Sequence, residues 1–271
     1  MRFGLPHSQL HDKNPKPVKK LGKIMLWIVF LFFGSTILAV LLYRWVPVPY
    51  TTLMGIRSIA MKQEGRPVVC EHKWVPLEDI SAHLPVAVMA SEDQLFLEHH
   101  GFDFDAIEKA MEEAERGGRR RGASTISQQT AKNVFLWPSS TWIRKGFEAY
   151  FTFLIELFWP KERIMEVYLN VIEMGDGIYG AEAVAQQHFG CHAKDMTREQ
   201  CALVAATLPN PRRFSSKSPS SYMRKRQRQI LTQMQHVAKY WSDRDRCIKE
   251  KPITKRREQQ KERTEKNKKR R

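Results

Sequence analysis

The sequence predicts a mainly α-helical domain carried behind a single N-terminal membrane-spanning helix. Three observations lead there. An uncharged apolar run of 20 residues, Ile24–Tyr43, lies near the N-terminus. Apolar residues recur at helical spacing through most of Trp74–Tyr240. Helix breakers fall between those periodic segments, and alternating strand-like runs are scarce. The length of 271 residues suits one good-sized domain or two small ones with appendages. A hydrophobic content of 42% with 10% aromatic residues excludes wholesale disorder, and there is no internal repeat. Four scattered cysteines exclude a disulfide-built scaffold.

Residues 1–23 form a basic tail, with Lys13, Lys16, Lys19, Lys20 and Lys23 just ahead of the apolar run. Twenty helical residues at 1.5 Å each span about 30 Å, the thickness of bilayer hydrocarbon. The lysines keep the N-terminus cytoplasmic and send the rest outward. Tyr43-Arg44-Trp45-Val46-Pro47 lacks the small residues of a cleavage site, so 24–46 is expected to stay as a transmembrane anchor. Residues 47–73 mix Pro, Gly and polar residues and are expected to form a membrane-proximal connector. The folded domain is expected over 74–240. Its predicted helices are Pro85–His99, Asp105–Glu115, Thr125–Leu136, Arg144–Phe158, Glu162–Val171, Gly180–Phe189, Arg198–Leu208 and Ser221–Tyr240. Residues 241–271 form a second basic tail, with 14 Lys/Arg against 5 Asp/Glu from Arg244 onward. It has too few apolar residues to order a packed element, and it is either a solvated tail or an electrostatic contact for anionic lipid or polymer. The net charge of +16 calls for a polyanion or a membrane surface. Export makes nucleic acid an unexpected partner.

Three constellations could carry chemistry. In the first, Glu92, Phe96 and His99 fall on one helical stripe that Gly101 ends, with Asp93 beside it. A carboxylate, a ring and an imidazole on one face can make a desolvated acid/base site; a surface glutamate beside a helix-ending glycine has the same spacing. In the second, Thr125 and Gln128 form a capping box within Gly122–Gln129, after the basic loop Gly117–Arg121. A helix start there suits an anionic ligand or only caps the helix, and Lys132 adds a cation one turn on. In the third, Arg144 and Glu148 stand at i, i+4 with Lys145 beside them: an ordinary ion pair, or a cationic face for phosphate. Cations would keep Glu148 ionised while a dry setting pushes Glu92 the other way. Two carboxylates so divided are the equipment for work at glycosidic bonds. No metal-ligand spacing, phosphate-binding Gly-rich loop, dinucleotide fingerprint or G-x-S-x-G is present, and Ser124 has no His or Lys partner in sequence.

In order and in register, these segments resemble the peptidoglycan glycosyltransferases of family 51, in particular their monofunctional biosynthetic branch. The family's E-D-x-x-F-x-x-H-x-G-x-D is matched by Glu92, Asp93, Phe96, His99, Gly101 and Asp103. Its G-x-S-T-I-T-Q-Q is matched from Gly122 to Gln129 with Ser127 in place of threonine. Lys132-Asn133 and the R-K-x-x-E of Arg144, Lys145 and Glu148 follow. Lys161, Ile164 and Tyr168-Leu169-Asn170 fit K-x-x-I-x-x-x-Y-L-N, Gly175–Gly180 fit G-x-G-x-x-G, and Leu208-Pro209-Asn210-Pro211 belongs to the closing motif. Ser140 stands where relatives often carry an arginine, and Met174 where an aromatic is usual.

The resemblance implies a lysozyme-like glycosyltransferase domain over 74–240 that polymerises lipid II into β-1,4-linked glycan, releasing undecaprenyl pyrophosphate, in cell-wall biogenesis and cell shape. It implies a bacterial inner-membrane protein, single-pass, with its catalytic domain in the periplasm and no room for a transpeptidase domain. Glu92 and Glu148 would be catalytic, with Glu92 the base. Lys132, Arg144, Lys145, Ser124, Thr125, Gln128, Gln129 and Asn133 would hold substrate or pyrophosphate, supported by Asp93, Phe96, His99 and Gly101. A divalent cation, Mg²⁺ or Mn²⁺, is expected to assist. Lipid II, the lipid-linked glycan chain, the membrane and cell-division or elongation proteins are the expected partners. The rival readings are a lytic transglycosylase or lysozyme-like glycan-cleaving enzyme, and a non-catalytic cell-wall scaffold.

Overall fold

The computed structural model describes residues 16–117 and 122–237. Residues 1–15 of the N-terminal basic tail, residues 118–121 of the basic loop, the end of the last predicted helix and the tail 241–271 lie outside them. The chain divides into two units, Met1–Trp45 and Val46–Arg271.

The first unit is α1 (Lys16–Tyr43). Its segment Leu21–Tyr43, 23 residues with mean hydropathy 2.6, is long and apolar enough to cross a membrane. Ser35 and Thr36 return their hydroxyls to the Phe32 carbonyl at 3.0 Å, leaving no polar group of theirs to face hydrocarbon. The helix stops at Tyr43, short of the predicted boundary at residue 46.

The second unit is mainly helical, as predicted, and starts earlier than expected. The stretch taken as a connector holds α2 (Thr52–Gln63), capped by Thr51, with Met54 and Met61 buried. Seven residues apart, these two methionines share one face of α2. Burying each contributes about 1.5–3 kcal/mol. Arg57 of α2 donates to Asp176 at 3.0 Å, which ties the helix to a small sheet. That sheet has the order β1-β3-β2, with β1 (Glu71–His72) parallel and β2 (Glu173–Gly175) antiparallel to β3 (Ile178–Tyr179). Gly177 turns the β2–β3 hairpin at φ +76°; a Cβ there would stand 2.4 Å from the Val69 carbonyl oxygen, so no side chain fits.

The site is framed by α3 (His83–Glu92), α4 (Phe104–Glu115), α5 (Ile126–Phe135), α6 (Trp142–Phe158) and α7 (Lys161–Val171). Central α5 packs on α6, α7 and α2, and its Ile126, Ala131 and Val134 are buried. Phe135 stacks on Phe151 of α6 with centroids 4.5 Å apart. The predicted helix over Gly180–Phe189 is α8 (Ala181–Val184) running into a π-helical turn at Ala185–Phe189. Helix α9 (Arg198–Ala205) packs on α3, and α10 covers residues 221–237. Gln227 donates to the Glu199 carbonyl at 2.7 Å and Arg198 to the Leu231 carbonyl at 2.8 Å, so α10 is fastened to α9.

Candidate active site

The helix predicted to run to His99 ends at Glu92. Asp93 leaves helical geometry (φ −161°, ψ 83°), so Glu92, Phe96 and His99 do not share a helical stripe. The reason is tertiary. Asp93 carboxylate oxygens accept from the Ile126 N–H at the start of α5 at 2.9 Å and from His99 Nε2 at 2.9 and 3.0 Å. The negative charge meets the positive end of the α5 dipole, which favours the bend over another helical turn. Gly101 N–H donates to His99 Nδ1 at 3.1 Å, so the imidazole proton sits on Nε2 and points at Asp93. Phe96 is fully buried with Lys161 Nζ 4.6 Å from its ring centroid, and Lys161 also donates to the His99 carbonyl at 2.7 Å. Gly101 has φ +92°, and a Cβ on it would meet Thr152 Cγ2 of α6 at 2.9 Å. The supporting residues therefore build one folded loop that holds Glu92 at the end of α3.

Glu92 itself is half-buried. Gln129 Nε2 donates to its Oε2 at 3.1 Å and Ser91 Oγ to its Oε1 at 3.3 Å. Burial pushes its carboxyl above the ordinary glutamate range; the two donors and the Arg226 guanidinium oppose that shift, and Asp93 adds to it. A cleft of about 340 Å³ opens beside it, lined by Ser91, Glu92, Asp93, Lys109, Ser124 and Thr125 among others.

The predicted capping box is present. Thr125 Oγ1 accepts from Gln128 N–H at 3.1 Å, and Gln128 Oε1 accepts from Thr125 N–H at 3.0 Å. Thr125 Oγ1 also donates to the Gly101 carbonyl at 2.7 Å. Thr125 and Gln128, both expected to hold substrate, close the start of α5; Gln128 is 4% exposed, and Thr125 also lines the cleft. Ser124 remains exposed on the cleft wall.

Glu148 is 3% exposed on α6, and both its oxygens are taken by cations. Arg144 Nη1 donates to Oε2 at 2.5 Å, and Lys145 Nζ to Oε1. Lys132 of α5 lies within electrostatic reach of Glu148, Arg144, Lys145 and Glu92. It makes no ion pair within 4 Å among the described residues, and burial holds its ammonium below the ordinary lysine range. Asn133 Nδ2 and Arg144 Nε are buried donors without a hydrogen-bond partner among the described residues. Gln129 and Lys132 are three residues apart on α5, so they share one face about 4.5 Å apart along the axis. The helix therefore links the two carboxylates: Gln129 bonds Glu92, and Lys132 stands between Glu92 and the Glu148 cluster. Ser140 is exposed in the loop before α6, and Met174 is fully buried.

Sequence reasoning gave no role to Ser91, Arg226 or Tyr168. Ser91 is the chain neighbour of Glu92, and nothing in the sequence says that its hydroxyl turns back to the carboxylate; Arg226 meets Glu92 only through the packing of α10 and leaves no local signal. Tyr168 lies in a matched motif without any sign of what its hydroxyl does. The residues present do not form a cage for the expected Mg²⁺ or Mn²⁺. Among the described residues no three His, Cys, Asp or Glu side chains gather to hold a metal, and the oxygens of Asp93 and Glu148 are already occupied.

A desolvated carboxylate joined through one helix to a cation-saturated one equips a helical enzyme for glycosyl chemistry. Comparison with known proteins agrees. The transglycosylase family model matches residues 61–235. A biosynthetic peptidoglycan transglycosylase of Bacteroides thetaiotaomicron is 60% identical over 227 residues, covering 84% of this chain and 92% of that protein. Similar proteins of the same description from Bdellovibrio bacteriovorus and Rhodospirillum centenum are 57% and 50% identical, covering 79% and 81% of this chain and 86% and 91% of their own. The chain belongs to the transglycosylase family. The match begins at residue 61, inside α2, in keeping with a folded unit that extends into the presumed connector.

Proposed function

We propose that this protein is a membrane-anchored peptidoglycan glycosyltransferase that polymerises lipid II into β-1,4-linked glycan. The observation that carries the reading is the pairing of Glu92, desolvated and held by neutral donors, with a half-buried lysine one turn along α5 that has no ion pair among the described residues. The 4-hydroxyl oxygen of the incoming disaccharide attacks the anomeric carbon of the lipid-linked chain, and its proton passes to Glu92. The bond from that carbon to the diphosphate oxygen breaks, and the leaving group carries away the electron pair. Attack opposite an α-linked diphosphate gives a β linkage. Lys132, Arg144 and Lys145 neutralise the departing undecaprenyl pyrophosphate, and the free donors of Asn133 and Arg144 have hydrogen bonds to offer it. Glu148 keeps these cations together. No step is routed through a metal.

The domain works outside the cytoplasm of a bacterial inner membrane, with Leu21–Tyr43 as its one span. The anchor suits a substrate whose lipid keeps the reacting carbon near the bilayer surface. Cations clustered on a buried carboxylate serve a diphosphate and have no use in glycan hydrolysis, which favours synthesis over cleavage. Full-length protein in detergent, given labelled lipid II or preformed glycan, tests the reading. Polymer is expected from the first and no cleavage of the second, and Glu92→Gln should abolish polymer with unfolding behaviour retained. Polymerisation by Glu92→Gln would remove Glu92 from the role of base; cleavage alone would reverse the reaction class.

A further inference from the structure

Tyr168 is fully buried on α7, yet its hydroxyl reaches the site: it donates to Gln129 Oε1 at 3.3 Å, and the same amide donates through Nε2 to Glu92 Oε2 at 3.1 Å. An amide has two faces of nearly equal shape and opposite polarity, so its neighbours alone decide which end meets the carboxylate. Turned over, Gln129 would set an oxygen against Glu92 and leave the Tyr168 hydroxyl facing an NH₂. The ionised Glu92 carboxylate accepts only and so takes the NH₂ end, and Tyr168, whose hydroxyl can donate or accept, anchors the other end by donating to the amide oxygen while it keeps its proton. It does keep it: burial first, and then the negative charges of Glu92 and Asp93, lift its pKa well above the ordinary tyrosine value. The hydrogen bonds therefore run one way, from Tyr168 through Gln129 to Glu92.

We infer that Tyr168 is a positioning residue for glycosyl transfer, fixing the Gln129 amide so that its NH₂ locks Oε2 of Glu92. Oε1, bonded only by Ser91 Oγ at 3.3 Å, is then the oxygen left to receive the proton. The inference rests on the proposed role of Glu92 as base. The other charged groups facing Glu92 are untouched by a change at Tyr168. Asp93 follows it in the chain. Lys132 comes from α5. Arg226 comes from α10, where its Nη2 donates to the Ser91 carbonyl at 3.4 Å.

Tyr168→Phe in the full-length protein removes one hydroxyl and keeps the buried ring. With labelled lipid II, kcat per folded molecule should fall about tenfold while KM stays within about twofold, the pattern of a misplaced catalytic group. The acidic limb of the rate profile should move to higher pH, because the ionised carboxylate loses an oriented donor. Tyr168→Phe added to Gln129→Met should cost nothing beyond Gln129→Met alone, since both act through one amide. An unchanged kcat and pH profile in Tyr168→Phe, or losses that multiply in the double variant, would overturn the inference. If Glu92→Gln is inactive and Tyr168→Phe is normal, the positioning role falls and the function stands. If Glu92→Gln polymerises, Glu92 is not the base and the positioning role falls with it, while the reaction class stands.

Discussion

Lys132 separates a residue kept for function from one kept for stability. Its ammonium is taken partly out of water without gaining an ion pair, so its positive charge opposes folding at neutral pH. A lysine whose folded pKa is lowered binds fewer protons in the native than in the unfolded state across the window between the two values. Stability therefore rises with pH in that window, and below it the full cost of the charge is present. Lys132→Met keeps the stem and removes the charge. The variant should be as stable as the parent or more so, by on the order of 1 kcal/mol, which for a unit of this size is roughly 2–4 °C in Tm. Polymerisation should move the other way. Removing one preorganised charge aimed at a developing anion costs about 2.7–4 kcal/mol, roughly 10²–10³ in kcat. Thermal unfolding in detergent and a lipid II assay on the same preparation read both numbers. A variant that loses stability together with activity would show that Lys132 holds the fold, and one that keeps its activity would remove it from the site.

Two further outcomes follow from the same electrostatics. Because burial raises the Glu92 carboxyl, the polymerisation rate should fall, as pH drops, at a higher pH than an ordinary glutamate would give. The folded state also binds the extra proton between the two values, so stability should decline as pH rises across that window; a Glu92→Gln protein lacking that slope would confirm the source, and one retaining it would assign the slope elsewhere. Asp93→Ala strands the Ile126 N–H and the His99 Nε2–H in a buried loop, at about 1–3 kcal/mol each. Tm should drop by roughly 5–15 °C, and a loss under about 1 kcal/mol would mean that the bend at Glu92 is held by something other than Asp93.

What the sequence makes legible is what neighbours along the chain decide. The Thr125–Gln128 capping box and the Arg144–Glu148 pair are local contacts, three and four residues apart, and both occur where helical spacing puts them. The break after Glu92 is not local: Asp93 bonds a backbone amide 33 residues away, and apolar periodicity through Phe96 carries no trace of it. Helix α2 was hidden for the same reason. Of its apolar residues only Met54 and Met61 are buried, and its fixed point, Arg57 on Asp176, spans 119 residues. Gln128 is a substrate residue only by the resemblance, while its spacing from Thr125 already marks the cap that its oxygen closes.

The two carboxylates differ in the charge of their partners. Glu92 is met by an amide and a hydroxyl, neutral donors that steady it without cancelling its charge, so it can take a proton. Glu148 is met by two cations, one on each of its two oxygens. Its effect falls on the cations. Arg144, Lys145 and Lys132 in one corner repel one another, and a single buried carboxylate among them offsets part of that repulsion while leaving a surplus of two positive charges. In the proposed reaction that surplus faces the two negative charges of a diphosphate diester. A corner with no carboxylate would hold its cations apart in water, and one with two would have too little charge left to hold the leaving group. One glutamate is the number that lets the cations be both assembled and available.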